Sequence, residues 1–236
     1  MVRISSALIA LSVLLAEGTL AIWPNPTKLS TGSTYLKLSP SFSIEFTGKA
    51  PSDLQSAIAR VKTQLNTDKF ERLVVGRGGA DALFLSKAKE LKKLTLSIVS
   101  VAGSEADATS TNAIVIDDDS ISTSAAASAS PKSIFENIIV DAEARVESYN
   151  LKIPSDGSTA TLTAPNALGL FRGLTTFAQL FYTSGSTVYA YNAPIAISDK
   201  PAFPHRGLLL DTARNFLPKS DILRTIDAMS WAKVCS

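Results

Sequence analysis

The chain has 236 residues, 45% of them hydrophobic and 19% charged, with 23 Lys and Arg against 21 Asp and Glu and a formal net charge of +2. That near balance, without a dense basic block, carries no electrostatic footprint for a nucleic-acid backbone. The length allows one or two globular domains, and the single cysteine, Cys235, allows no internal disulfide, so the fold must rest on its apolar core.

Met1-Val2-Arg3 gives a positive start, Ala7 to Leu15 is apolar except for Ser12, and small residues follow, the pattern of a secretory signal ending after Gly18 or Ala21. The run is far shorter than the ~20 apolar residues that span a bilayer, and Glu17 stops its extension, so no membrane span is expected. A secreted chain therefore follows residues 1–21. It offers no N-glycosylation acceptor there, because Pro26 stands between Asn25 and Thr27.

Tyr35–Leu38 and Phe42–Phe46 read as two extended pieces, separated by Ser39-Pro40 and preceded by a Thr31-Gly32-Ser33 turn. Ser52 and Gln55 fit a capping box, and Leu54, Ile58, Val61 and Leu65 recur at helical spacing, which predicts an amphipathic helix from Ser52 to about Asn66. The alternation over Leu94 to Val101 predicts a strand. Residues 103–131, rich in Ser, Ala, Thr and Asp, hold too little apolar surface to offset the entropy of ordering and are expected to form a mobile low-complexity loop. The acidic run Asp117–Asp119 within it lacks the alternating ligands and central glycine of a calcium loop.

Glu147–Ile153, the Ser155-Asp156-Gly157 turn and Thr159–Thr163 have the signature of a hairpin. Ala167, Leu170, Phe171, Leu174, Phe177, Ala178 and Phe181 then fall on one helical stripe, started by Pro165 or Asn166, with Gly169 and Gly173 permitting close approach of a neighbour. Two short extended pieces, Ser186–Tyr191 and Ala193–Ile197, lead to Pro201. The order of elements predicts an α+β layer, a β-sheet with helices packed on one face.

Three segments carry a family resemblance: the start IWPNP, the stretch ESYNLKIPSDGSTATLTAPNALGLFRGLTTFAQLFY, and PHRGLLLDTARNFLPKSDILRTIDAMSW. Together they resemble the eukaryotic, fungal-like β-N-acetylhexosaminidases of glycoside hydrolase family 20. The resemblance implies a non-catalytic N-terminal domain over residues 22–199. It also implies that residues 200–236 open a (β/α)8 catalytic barrel, truncated after its first βα unit. His205–Asp211 would be the first barrel strand, and Ile222, Leu223, Ile226 and Met229 the inward stripe of the first helix.

By the same resemblance Arg206 binds hydroxyls of a terminal N-acetylhexosamine, its guanidinium holding two vicinal hydroxyls; without the motif it reads as a structural arginine paired with Asp211 or another carboxylate. Asp211 and Arg214 are expected to form an ion pair that fixes the loop. His205, the sole histidine, reads as a residue of the barrel rim, so neither a catalytic triad nor a metal site is expected, and no cofactor.

The family's chemistry is substrate-assisted: the 2-acetamido oxygen attacks the anomeric carbon while a glutamic acid protonates the leaving oxygen and the aspartate before it orients the acetamido group. Nowhere in these residues does Glu directly follow Asp, so no catalytic residue is assigned. Expected partners are an oligosaccharide or glycan ending in N-acetylhexosamine, if a barrel completes the site, or a homologous hexosaminidase chain. Leu208, Leu209, Leu210, Ile226 and Trp231 would face water unless covered.

Overall fold

The computed structural model describes residues 20–99 and 131–234. The expected signal segment up to residue 19, residues 100–130 with nearly all of the expected mobile loop and its acidic run, and Cys235 and Ser236 lie outside the described residues.

Six strands form one mixed sheet. In chain order they are β1 (Lys28–Phe46), β2 (Lys89–Ile98), β3 (Tyr149–Ile153), β4 (Ala160–Ala164), β5 (Tyr182–Ser184) and β6 (Thr187–Asp199). They run β1-β2-β4-β3-β6-β5, and β1 also pairs with β6, so the sheet closes on itself through β1. Length makes this possible. The first half of β1 lies antiparallel to β6, with Leu29 opposite Ile197, and the second half lies parallel to β2, with Ile44 opposite Leu94.

The two predicted pieces at the start are thus one strand. Register shifts on either side of Thr34 and between Leu38 and Ser43 absorb the irregular residues that read as turns. Of the pieces expected at Ser186–Tyr191 and Ala193–Ile197, all but Ser186, which lies in the turn after β5, belong to the single strand β6, with Asn192 at φ 66° between them. The hairpin prediction holds: Leu151 faces Leu162 across β3 and β4.

Five helices complete the described fold: α1 (Ser52–Thr67), α2 (Ala82–Leu85), α3 (Ile134–Ile138), α4 (Ala167–Gln179) and α5 (Lys219–Trp231). On α1 the buried residues are Leu54, Ala57, Val61 and Leu65, the predicted stripe with Ala57 in place of Ile58. The Ser52 capping box does not form. Pro51 stands at the N-cap, and the Gln55 side chain donates instead to the Ala50 carbonyl at 2.7 Å. A capping box does form on α3, between Ser133 and Glu136.

Helix α4 packs on β2, β3 and β4 and lies beside α1 and α3. Asn166 caps it by accepting from the Gly169 N–H at 2.9 Å. Where a single stripe was expected, ten of its thirteen residues are buried, because neighbours cover it on several sides. Gly173 makes the approach possible: a Cβ there would sit 2.3 Å from Leu162 Cδ1.

The expected barrel strand does not form. Residues 206–211 are extended but pair with no strand among the described residues. Nor is the stripe on α5 buried: Leu223 and Ile226 are both more than half exposed. A parallel barrel strand gains its hydrogen bonds from two flanking strands, and none lies beside this segment.

Candidate functional site

Residues 203–234 join the rest of the fold at a cluster of buried charge. Glu147, two residues before β3, has its side chain 2% exposed, and its Oε2 accepts from Arg172 Nε on α4 and from an Arg206 terminal nitrogen, each at 2.6 Å. Burial alone would raise the Glu147 carboxyl. The hydrogen bond from Arg206 and the charge of Arg172 hold it below its ordinary value instead.

Beside this group, the Lys233 ammonium donates to Tyr149 Oη at 2.9 Å, Thr176 Oγ1 at 2.6 Å and Asp199 Oδ2 at 3.3 Å. Desolvation, with Arg172 and Arg206 nearby, lowers the Lys233 pKa although Asp199 opposes the shift. Burial and the Asp199 charge push the Tyr149 hydroxyl well up, so it stays protonated and donates to Asp199 Oδ2 at 2.8 Å. Asp199 Oδ1 accepts from the backbone and hydroxyl of Thr27. The cluster draws on β3, α4, β6 and the following segment together.

Arg206 is therefore committed to the protein on all three nitrogens. Besides Glu147, it donates to the Phe203 carbonyl at 2.7 Å and, through Nε, to the Lys233 carbonyl at 3.0 Å. Its partner is Glu147, not Asp211. Asp211 accepts from the backbone N–H groups of Ala213 and Arg214 at 3.0 and 3.2 Å and closes an ion pair with Arg214 Nε, the pair expected from the sequence. These bonds, the Arg214 backbone first, lower the Asp211 pKa. The Arg214 side chain is 87% exposed.

Glu147, Arg172, Asp199 and Lys233 went unassigned from sequence. One signal was present: Arg172 is the lone charged residue of α4 amid Leu168, Leu170 and Leu174, and a cation on so apolar a helix needs a buried carboxylate.

A second polar group surrounds Asp81, which accepts from Tyr35 at 3.0 Å, Tyr189 at 2.6 Å and Arg72 at 3.0 Å. Arg72 also lies over the Tyr191 ring, 3.7 Å from its centroid. The turn that delivers Asp81 takes left-handed φ values at Gly76, Arg77 and Gly78. A side chain at Gly78 would meet Tyr189 Oη at 2.9 Å, so this group is a close-packed tie between β1 and β6 and the turn. No group of three or more His, Cys, Asp or Glu that could hold a metal occurs among the described residues, and no helix there is long and apolar enough to cross a membrane.

Two family models match the chain in succession. A β-acetyl hexosaminidase-like model covers residues 22–180, and the catalytic domain model of glycosyl hydrolase family 20 covers 203–236. The β-hexosaminidase subunit beta of Felis catus is 33% identical over 220 residues, covering 90% of this chain and 33% of that protein. A β-hexosaminidase of Arthroderma benhamiae is 45% identical over 89 residues, or 37% of this chain and 14% of that protein. This chain thus spans at most about one third of these relatives. Among solved structures, the chitobiase of Flavobacterium johnsoniae superposes with a TM-score of 0.54 at 19% identity, over 91% of this chain and 26% of that one. The N-acetyl-β-hexosaminidase of Streptomyces plicatus gives 0.50 at 16% identity, over 90% and 32%. At such identities the structures establish a shared fold, a mixed α/β one.

Proposed function

Because the chain belongs to glycoside hydrolase family 20, we propose that it is the N-terminal portion of a secreted β-N-acetylhexosaminidase, acting on terminal non-reducing N-acetylhexosamine by substrate-assisted, retaining hydrolysis. The observation that carries this reading is the succession of the two models, with the buried Glu147–Arg172–Arg206 cluster tying one matched region to the other. Residues 22–199 form the non-catalytic domain in this reading, and 200–236 open the catalytic unit. Signal cleavage after Gly18 fits better than cleavage after Ala21, since the fold uses Leu20 in its core and the Ala21 N–H on Tyr182 at 3.2 Å.

The resemblance gives the sugar hydroxyls to Arg206, but the geometry favours Arg214. Three of the five Arg206 donors, one on each nitrogen, go to Glu147 and two carbonyls. Arg214 is oriented by Asp211, open to a ligand, and stands at the carboxyl end of the extended run, where barrel enzymes bind their substrates. Charged hydrogen bonds contribute about 1.5–3 kcal/mol each. In a chain continued through an adjacent Asp-Glu pair, Arg214→Ala should therefore lower kcat/KM on an aryl β-N-acetylglucosaminide by on the order of 100-fold, and Arg206→Lys should lower thermal stability instead. The reverse pattern restores Arg206 to the sugar.

The 236 residues themselves contain no Asp-Glu pair, so a polypeptide of this sequence should not turn over that substrate; clear turnover would sink the assignment of the acid to a later strand. A non-catalytic module that binds a full-length homologue is the second reading. It has one observation in its favour, the exposed apolar side chains of Leu209, Phe216 and Ile226. A transcript that runs past the codon for Lys233 into a second barrel strand supports the first reading, and a stop after Ser236 supports the second.

A further inference from the structure

The unit formed by residues 203–234 meets the first domain through one apolar side chain of α5, Trp231, which packs on the core edge-on to Phe70 at 5.7 Å, and through a hydrogen bond from Gln179 to the Trp231 carbonyl at 3.0 Å. Its remaining attachment is ionic. An ammonium has three donors, and the three oxygens round Lys233 come from three elements of the first domain, β3, α4 and the end of β6. The Lys233 side chain is 8% exposed, and its φ of 56° turns the chain sharply just past the end of α5. Arg206 donates to the Lys233 carbonyl, so the start of the extended run and the end of α5 are pinned at one place, with Arg214 at the far end of the run.

The charges there are finely set. Arg172, Arg206 and Lys233 face two carboxylates, Glu147 and Asp199, and Glu147 is already shared by both arginines. Buried charge tolerates little imbalance, since removing one partner leaves the other without solvation.

We infer that Lys233 is a positioning residue: its socket of Tyr149, Thr176 and Asp199 locks the 203–234 unit onto the first domain, and the unit opens as a block, with the first domain still folded, when the socket loses its charge balance. The inference rests on reading this unit as the start of the catalytic part, because the same lock then sets where Asp211 and Arg214 stand. The lock is a matter of charge more than of packing. Asp199→Asn can keep the two bonds from Thr27 but removes the carboxylate that Lys233 bonds, leaving an ammonium beside two guanidinium groups.

Amide hydrogen exchange on the 236-residue chain, read by mass spectrometry, tests this. In Asp199→Asn the protection of α5 should fall about 100-fold or more while β3, β4 and α4 keep theirs. Lys233→Met, which removes the ammonium that bonds all three oxygens and strands Asp199, should expose α5 in the same way and again leave the first domain protected. Unchanged protection of α5 in either variant overturns the lock. Should Asp199→Asn unfold the whole chain, Thr176→Val takes its place: it removes the 2.6 Å acceptor, and α5 must again lose protection alone. Wild-type protection in that variant overturns the inference equally. Failure of the hexosaminidase reading would appear in the hydrolysis assay and leave these exchange patterns as they are.

Discussion

Glu147 holds two guanidinium groups on one carboxylate oxygen in a place almost without water. Removing it takes the shared carboxylate from buried Arg172 and part-buried Arg206, and breaking a buried ion pair in this way costs about 3–5 kcal/mol. Glu147→Gln should therefore lower the free energy of urea unfolding by that order at pH 7. Acidity should close the gap. The folded carboxyl titrates below its ordinary 4.5, so its stabilising effect is fully present above that value and is lost as pH falls through the lower, folded value. Unfolding curves of wild type and Glu147→Gln should thus converge in strong acid; a constant gap would mean that the charge of Glu147 is not what stabilises the junction. At this scale the sequence was partly legible. Arg206 stood out through its motif, but which carboxylate it met depended on Glu147, fifty-nine residues earlier and unremarkable in the segment that leads into β3.

Among the elements, α4 was the clearest from sequence, since its apolar residues recur at helical spacing and Asn166 offers a cap. What periodicity could not reveal is how many sides are covered. Burial of nearly the whole helix brings Gly173 against Leu162 and the Tyr149 ring. A methyl at Gly173 would have to displace Leu162 in the packed face of β4, so Gly173→Ala should destabilise by about 1–3 kcal/mol despite the better helix propensity of alanine. A calorimetric melting temperature equal to or above wild type would show that the layer can give way. The opposite outcome met residues 206–211, whose apolar run matched a barrel strand. Strand character is realised only by pairing, and a run with no neighbour stays extended, whatever its propensity.

Across the described residues the sheet is closed through β1, and residues 203–234 present exposed apolar side chains. Leu209 is 93% exposed, Phe216 90%, and Leu208, Leu223 and Ile226 about half. Exposed apolar side chains in such number drive association in water. The 236-residue chain should therefore self-associate at micromolar concentration, and Leu209→Ser with Phe216→Ser should reduce that association in sedimentation velocity without changing the melting of the first domain. Equal sedimentation of both proteins would show that these side chains stay out of contact. Trp231 departs from the expected exposed set, since it turns inward against Phe70 and the core.

By itself the sequence determined what depends on neighbours along the chain: the helical spacing of α1 and α4, the hairpin of β3 and β4, and the motif that ties residues 203–234 to a hydrolase family. Only the tertiary structure decided what depends on distant residues meeting. The long strand β1 pairs with two different partners, Arg206 is drawn onto Glu147, and Lys233 is enclosed by Tyr149, Thr176 and Asp199. The reason is physical: helix and turn signals are local, whereas a buried ion needs counter-charges that the chain supplies from wherever its fold brings them.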